Sequence, residues 1–227
     1  MNGGHDLGGL HGLGDINPEP EMEEPVFHAE WEKRVFALTL ATGMLGKWNI
    51  DSSRHARERQ HPATYINNTY YENWLAGLQT LLIENGLVSA QELSSGKAYG
   101  SVDADILSRV PDPRQIPAIL KKGGPSARQP ESEPAFGVGV PVRVCNRHPE
   151  GHTRAPRYTR GREGVVAAYH GYHVFPDRAA HGPDGGAHLY SVRFTSDQLW
   201  GNGRPETDSI FVDLWEPHLE AMALWQR

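Results

Sequence analysis

Residues 150–166, "EGHTRAPRYTRGREGVV", place Arg154, Arg157, Arg160 and Arg162 within nine positions of a chain whose formal net charge is −6. Guanidinium groups so close need anions, and a planar donor fork suits carboxylate, phosphate or other oxyanions. Composition leaves three sources open. They are solvent together with the local carboxylates Glu150 and Glu163, a nucleic acid bound by a basic loop, or an anionic group at an interface.

Other chemistries have weaker support. His148, His152, His170, His173, His181 and His188 crowd the second half, yet no HxxxH falls on an expected helix and no CxxC exists. The single cysteine, Cys145, precludes an internal disulfide and lies in an apolar strand pattern, where a buried small residue is expected. There is no GxSxG, and no spacing singles out a carboxylate pair. The glycines of "GGHDLGGLHGLG" follow no strand and open no helix, so they are not a phosphate loop.

The elements that must position the arginines follow from the pattern. Residues 1–25 are too rich in glycine and proline for regular structure and read as an extended arm, with Leu7, Leu10, Leu13 and Ile16 every three residues to lie against a surface. From His28 the pattern turns helical, with Trp31, Val35, Leu38 and Leu45 on one stripe and a stop at Gly46. A second helix is expected from Asp51–Ser52 to before Pro62, with most charges of "RHARER" facing solvent and Arg54 paired to Glu58. "TYYE" makes a capping box at Thr69 and Glu72 for a third helix ending at Asn85–Gly86, and "SAQE" repeats the box at Ser89 and Glu92.

Residues 96–134 carry six prolines and read as a linker with one helical turn near Ile116–Leu120. Beyond them, "GVPVRVCN", "EGVVAAYHG", "YHVFP", "HLYSVRFT" and "SIFVDLWEPHLE" read as five short strands of a small barrel. In "LYSVRF", Tyr190, Val192 and Phe194 share one face. The expected class is α+β: arm and helical domain 1–95, linker 96–134, barrel domain 135–227. No apolar run reaches the ~18–20 residues of a membrane helix. The opening "MNGGHDLGG" lacks the basic and apolar regions of a signal peptide, which predicts a cytoplasmic protein. Six tryptophans fit either an ordinary core or an obligate interface.

Six fragments, "MNGGHDLGGLHGLG", "EPVFHAEWEKRVFAL", "YYENW", "GHTRAPRYTRGREGVV", "HLYSVRFTSDQLWG" and "VDLWEP", together resemble the β subunit of nitrile hydratase in the family's order. The resemblance implies a C-terminal SH3-like β-barrel and hydration of a nitrile to its amide. It implies an α subunit as partner, in an αβ heterodimer or (αβ)₂ heterotetramer. That α subunit holds a non-corrin Co(III), with Fe(III) as the alternative, through three cysteines and two backbone amides, two of the cysteines being oxidised to sulfinate and sulfenate. No metal ligand is expected from this chain.

By motif, Arg54 in "DSSRHARE" and Arg154 in "GHTRAPRY" match the family arginines that hold those oxygens, while Arg157 and Arg160 read as structural or interface residues. Losing one arginine from such a buried pair would cost roughly 3–5 kcal/mol, against under about 1 kcal/mol for a surface arginine. Tyr70 matches a tyrosine whose hydroxyl reaches the site, to orient water or stabilise the imidate; Tyr71 reads as a core aromatic. The metal would act as Lewis acid, with hydroxide or the sulfenate oxygen as nucleophile. Ile50, Ser53 and Asn73 fall at substrate-contacting positions. Relatives often carry an aromatic at the Ser53 position and a histidine at that of Asn73, so Ser53 is expected to admit a bulkier nitrile. Two other readings stand beside this one: a thiocyanate hydrolase subunit, and an SH3-like module binding nucleic acid.

Overall fold

The computed structural model describes residues 1–182, 185–201 and 208–222, so Trp225 lies outside the described residues. The chain divides into two compact units. One comprises residues 3–5 and 11–124 and is helical; the other comprises residues 1–2, 6–10 and 125–227 and is built on a sheet. The mixed α+β class is thereby established, with helices first and sheet second.

In the helical unit, α1 (Glu30–Gly43) starts where the Glu32 carboxylate accepts the N–H groups of His28 (2.5 Å) and Ala29 (3.2 Å). The expected apolar stripe of α1 is largely not a core stripe. Val35 is buried, but Trp31 and Leu38 are 39% and 53% exposed. Periodicity reports an apolar face, not what covers it.

α2 (Ile50–Glu58) is capped by Asn49, whose Oδ1 accepts from the N–H groups of Asp51 and Ser52, each at 2.9 Å. Pro62 does more than follow this helix. It opens α3 (Pro62–Asn67), since proline at the first helical position loses no hydrogen bond. α4 (Tyr70–Glu84) begins with Thr69 N–H donating to Glu72 Oε2 at 2.7 Å and ends at Gly86, whose φ is +66°. α5 (Ala90–Ser95) shows the second capping box, with Ser89 Oγ accepting from Glu92 N–H at 3.2 Å. The proline-rich stretch carries α6 (Ala104–Ser108) and α7 (Ile116–Lys122), with Pro117 in the first turn of α7, where it is tolerated.

The sheet unit has strands β1 (Pro141–Val144), β2 (Glu163–Val174), β3 (Gly186–Thr195), β4 (Ser209–Trp215) and β5 (Leu219–Ala221), all antiparallel, in the order β4-β3-β2-β1-β5. Among the described residues no ladder joins β4 to β5, so the expected small barrel appears as an open five-stranded sheet.

The described residues form five strands, but two expected boundaries moved. "EGVVAAYHG" and "YHVFP" form the single strand β2, because Gly171 at φ +101° absorbs a register shift against β3 instead of making a turn. The last run splits, because Pro217 has no N–H for a ladder and lies in a 3₁₀ turn, Glu216–His218, between β4 and β5. The short helices α8 (Pro176–Ala179) and α9 (Ser196–Trp200) flank β3. The inward residues Val142, Val144, Val166, Tyr190, Val192, Phe194, Leu199 and Leu214 are each at most 2% exposed and form one core. The alternation along β3 is as the pattern required. No helix among the described residues is long and apolar enough to cross a membrane.

Candidate functional site

α2 carries three of the expected residues. Arg54 donates from Nη1 to Asp51 Oδ1 at 2.8 Å; the carboxylate is buried, while the Arg54 side chain is 42% exposed. The expected partner, Glu58, is not the one used. Its carboxylate turns inward, 3.9 Å from both His5 Nε2 and His55 Nδ1. Helical side chains lean toward the N-terminus, which brings Arg54 onto the preceding turn. Nor do the charges of "RHARER" all face water: His55 and Glu58 are buried and Arg57 is half-buried. The packing of α2 on α4 overrides the local polarity.

Ile50 and Ser53 line a cavity of about 480 Å³, with Trp48, Arg57, Trp74 and Leu120 among its other walls. Ile50 is 64% exposed and Ser53 is buried, its Oγ accepting from Arg57 Nη2 at 3.2 Å. Asn73 is not among these lining residues. Its Oδ1 accepts from Gln60 Nε2 at 2.9 Å and its Nδ2 donates to the Tyr65 carbonyl at 3.1 Å, tying α4 to the chain around α3. Tyr70, the first residue of α4, is 67% exposed. Its ring lies 5.2 Å from that of Tyr71 and 5.6 Å from that of Trp74, and its hydroxyl makes no hydrogen bond among the described residues. Tyr71 is half-buried and packs on Phe27 at 5.4 Å, as a core aromatic should.

In the sheet unit the four clustered arginines separate sharply. Arg160 is buried. Its Nε and Nη2 donate to the Ala155 carbonyl at 3.1 and 2.9 Å, Nη1 donates to Asn2 Oδ1 at 2.5 Å, and Nη2 lies 3.5 Å from Asp6 Oδ2. Burial pushes its guanidinium below the ordinary value, against the pull of Asp6. The Arg157 N–H donates to Asp6 Oδ2 at 3.0 Å and its Nη2 to the Asp6 carbonyl at 3.3 Å. Arg143 engages Glu163 instead of leaving it to the cluster. Arg162 is exposed. Arg154 is also exposed, and its guanidinium makes no hydrogen bond or ion pair among the described residues.

Its backbone, by contrast, is fixed. Arg154 N–H donates to Asp177 Oδ1 at 2.9 Å, and Asp177 Oδ2 lies 2.8 Å from His218 Nε2. Burial raises the Asp177 carboxyl, but the bonds from His218, Thr153 and the Arg154 N–H outweigh it and leave it below the usual carboxylate value. Asp177 and His218 escaped the sequence reading because they stand 23 and 64 positions from Arg154 and carry no local motif. Arg57 and Trp74 escaped it because a charge run and an aromatic each have ordinary explanations.

Several of the crowded histidines have hydrogen-bonding roles. His188 Nδ1 lies 2.9 Å from Tyr169 Oη and its Nε2 lies 3.0 Å from the Ser132 carbonyl, while His173 Nε2 lies 3.0 Å from the His170 carbonyl.

Residues 1–122 match the family described as nitrile hydratase beta subunit, N-terminal, and residues 125–221 the one described as nitrile hydratase beta subunit, C-terminal. The nitrile hydratase subunit beta of Pseudomonas putida is 42% identical over 97% of this chain and 99% of its own. The low-molecular weight cobalt-containing nitrile hydratase subunit beta of Rhodococcus rhodochrous is 38% identical over 96% of this chain and 99% of its own. The cobalt-containing enzyme's subunit beta from Pseudonocardia thermophila is 36% identical over 97% and 96%. With both halves matched in order and relatives aligned nearly end to end, this chain belongs to the nitrile hydratase β-subunit family.

Proposed function

We propose that this chain works in the cytoplasm as the β subunit of a nitrile hydratase, hydrating a nitrile to its amide only when joined to an α subunit, as an αβ unit or its dimer (αβ)₂. The observation that carries the reading is the division among its arginines. Arg160 uses all three guanidinium nitrogens within the chain and Arg157 is tied to Asp6 through its N–H and Nη2, whereas Arg54 and Arg154 keep open forks at the positions that match the family's anion-holding arginines. Asp51 fixes Arg54 by one nitrogen and leaves the rest of the fork open. Asp177 fixes the backbone of Arg154 and leaves its whole fork open. Such forks suit the compact oxygens of sulfinate and sulfenate cysteines on the partner.

Held by that partner, cobalt(III), or iron(III) as the alternative, would supply Lewis acidity to the nitrile. The cobalt-containing relatives favour cobalt. Tyr70 offers an unspent hydroxyl to orient water or stabilise the developing imidate. Ile50 and Ser53 shape the cavity that takes the substrate, and Asn73 acts on it indirectly by holding α4 to the chain around α3. The five-stranded sheet is read as the family's SH3-like barrel.

The test is co-expression with the α subunit and cobalt, assayed for acrylamide from acrylonitrile. Activity that requires both chains supports the proposal. A stable isolated chain that forms no complex and gives no activity with any α subunit of the family contradicts it.

A further inference from the structure

Arg57 is a cation on the wall of the 480 Å³ cavity with no carboxylate of its own. Among the described residues it makes no ion pair, and the one hydrogen bond of its guanidinium is from Nη2 to Ser53 Oγ at 3.2 Å, a neutral acceptor. The nearby carboxylate at the start of α2, Asp51, is engaged by Arg54. The position of Arg57 is nevertheless built. Its guanidinium carbon lies 3.9 Å from the centre of the Trp74 ring, a cation–π arrangement that fixes the plane of the fork. Its stem crosses α4 at Gly77, where a Cβ would stand 2.5 Å from Arg57 Cγ. Burial, reinforced by the charge of Arg54, pushes the guanidinium below its ordinary value. A half-buried cation in an otherwise largely apolar wall is costly unless something pairs with it.

We propose that Arg57, with the Ser53 hydroxyl beside it, forms a second recognition point in the cavity, selecting nitriles whose end remote from the cyano group bears a carboxylate. This rests on the reading of the chain as a nitrile hydratase subunit and names its substrate class. Four donor positions on Arg57 remain for such a group, and the Trp48 and Trp74 side chains offer aromatic walls to a planar linker. The same site explains why a serine stands at position 53: its small side chain leaves the guanidinium accessible, and its oxygen orients the fork.

The test compares 4-cyanobenzoate with 4-methylbenzonitrile, close in shape, on the co-expressed αβ complex. Acrylonitrile serves as a general substrate. The wild-type complex should favour 4-cyanobenzoate. Arg57→Met, which keeps the stem over Gly77, should lower kcat/KM for 4-cyanobenzoate by about 10–100-fold more than for 4-methylbenzonitrile, the range for a lost charged hydrogen bond. Arg57→Lys should restore part of the difference.

Equal losses on both aromatic substrates would show a packing role and overturn the proposal. Turnover of 4-methylbenzonitrile without 4-cyanobenzoate, or of acrylonitrile alone, would overturn it too. A correctly assembled complex inactive on all three would instead overturn the subunit reading, and this inference with it.

Discussion

The two units of this chain bury different things. In the sheet unit eight large residues reach 2% exposure or less around β1–β4, and the buried cation Arg160 has its acceptors within the unit. In the helical unit the buried apolar set is Val35, Ala56, Leu78 and Leu81, alongside buried Glu32, Asp51, Ser53, His55 and Glu58. Several of its large apolar side chains, Trp31, Leu38, Ile50 and Tyr70 among them, lie exposed. A unit that closes its own core needs nothing further, whereas one that leaves aromatics and cations open is completed by another surface. The sheet unit closes its own core and leaves Arg154 and Arg162 exposed. The exposed apolar side chains of the helical unit are what an α-subunit interface would cover, if the proposed function holds.

The sharpest way to break this contrast is through Arg54. Arg54→Ala should reduce nitrile hydration by the αβ complex by about 100-fold or more, on the scale of a broken buried pair. The isolated chain should lose some stability as well, since the buried Asp51 carboxylate gives up its partner, but far less than the activity falls. A large loss of stability with proportionate activity would place Arg54 among structural residues.

Core truncation should behave in the opposite sense. Phe194→Ala should destabilise the isolated chain by about 3–5 kcal/mol, measured by denaturant unfolding. Leu38→Ala on α1 should cost under about 1 kcal/mol in the same experiment yet weaken assembly with the α subunit. Similar costs at both positions would erase the distinction drawn here.

Next in size is the acid limb of stability. The Asp177 carboxyl sits below its ordinary value of 3.8, so its contribution is fully present above about pH 4 and disappears as pH falls through the lower folded value. Asp177→Asn should remove that part of the acid dependence and lower stability at pH 7 by about 1–3 kcal/mol. An unchanged acid limb would mean that other carboxylates govern it. The smallest effect is expected at Ser53: Ser53→Phe should shift preference from benzonitrile toward acrylonitrile by several-fold, and an unchanged ratio would remove Ser53 from the specificity determinants.

What the sequence disclosed was local. The boxes at Thr69–Glu72 and Ser89–Glu92, the stop at Gly86 and the alternation of Tyr190, Val192 and Phe194 depend on neighbours within a few residues, and each appears in the structure. Ser53 and Arg54 fall on α2 as expected and Ile50 lies one residue before the expected start, but their selection as site residues came from the family resemblance. Long-range choices were not legible. No spacing reveals that Arg160 meets Asn2, or that Asp177 holds Arg154, because chain segments more than twenty residues apart meet only after folding. The inward turn of Glu58 and the half-burial of Arg57 were hidden by a charge-rich run whose composition resembles a solvated face. Gly171 misled for a physical reason as well: a positive φ serves a bulge as readily as a turn.

The central claim is that clustered arginines of one kind do two jobs, some closing this chain and others waiting for an anion on its partner. The most direct measurement is the acrylonitrile hydration rate of αβ complexes carrying Arg154→Ala or Arg162→Ala, with metal content determined in each. Loss of activity with Arg154→Ala and near wild-type activity with Arg162→Ala is the predicted result. Equal activity in the two variants would contradict it and return the cluster to a solvated loop.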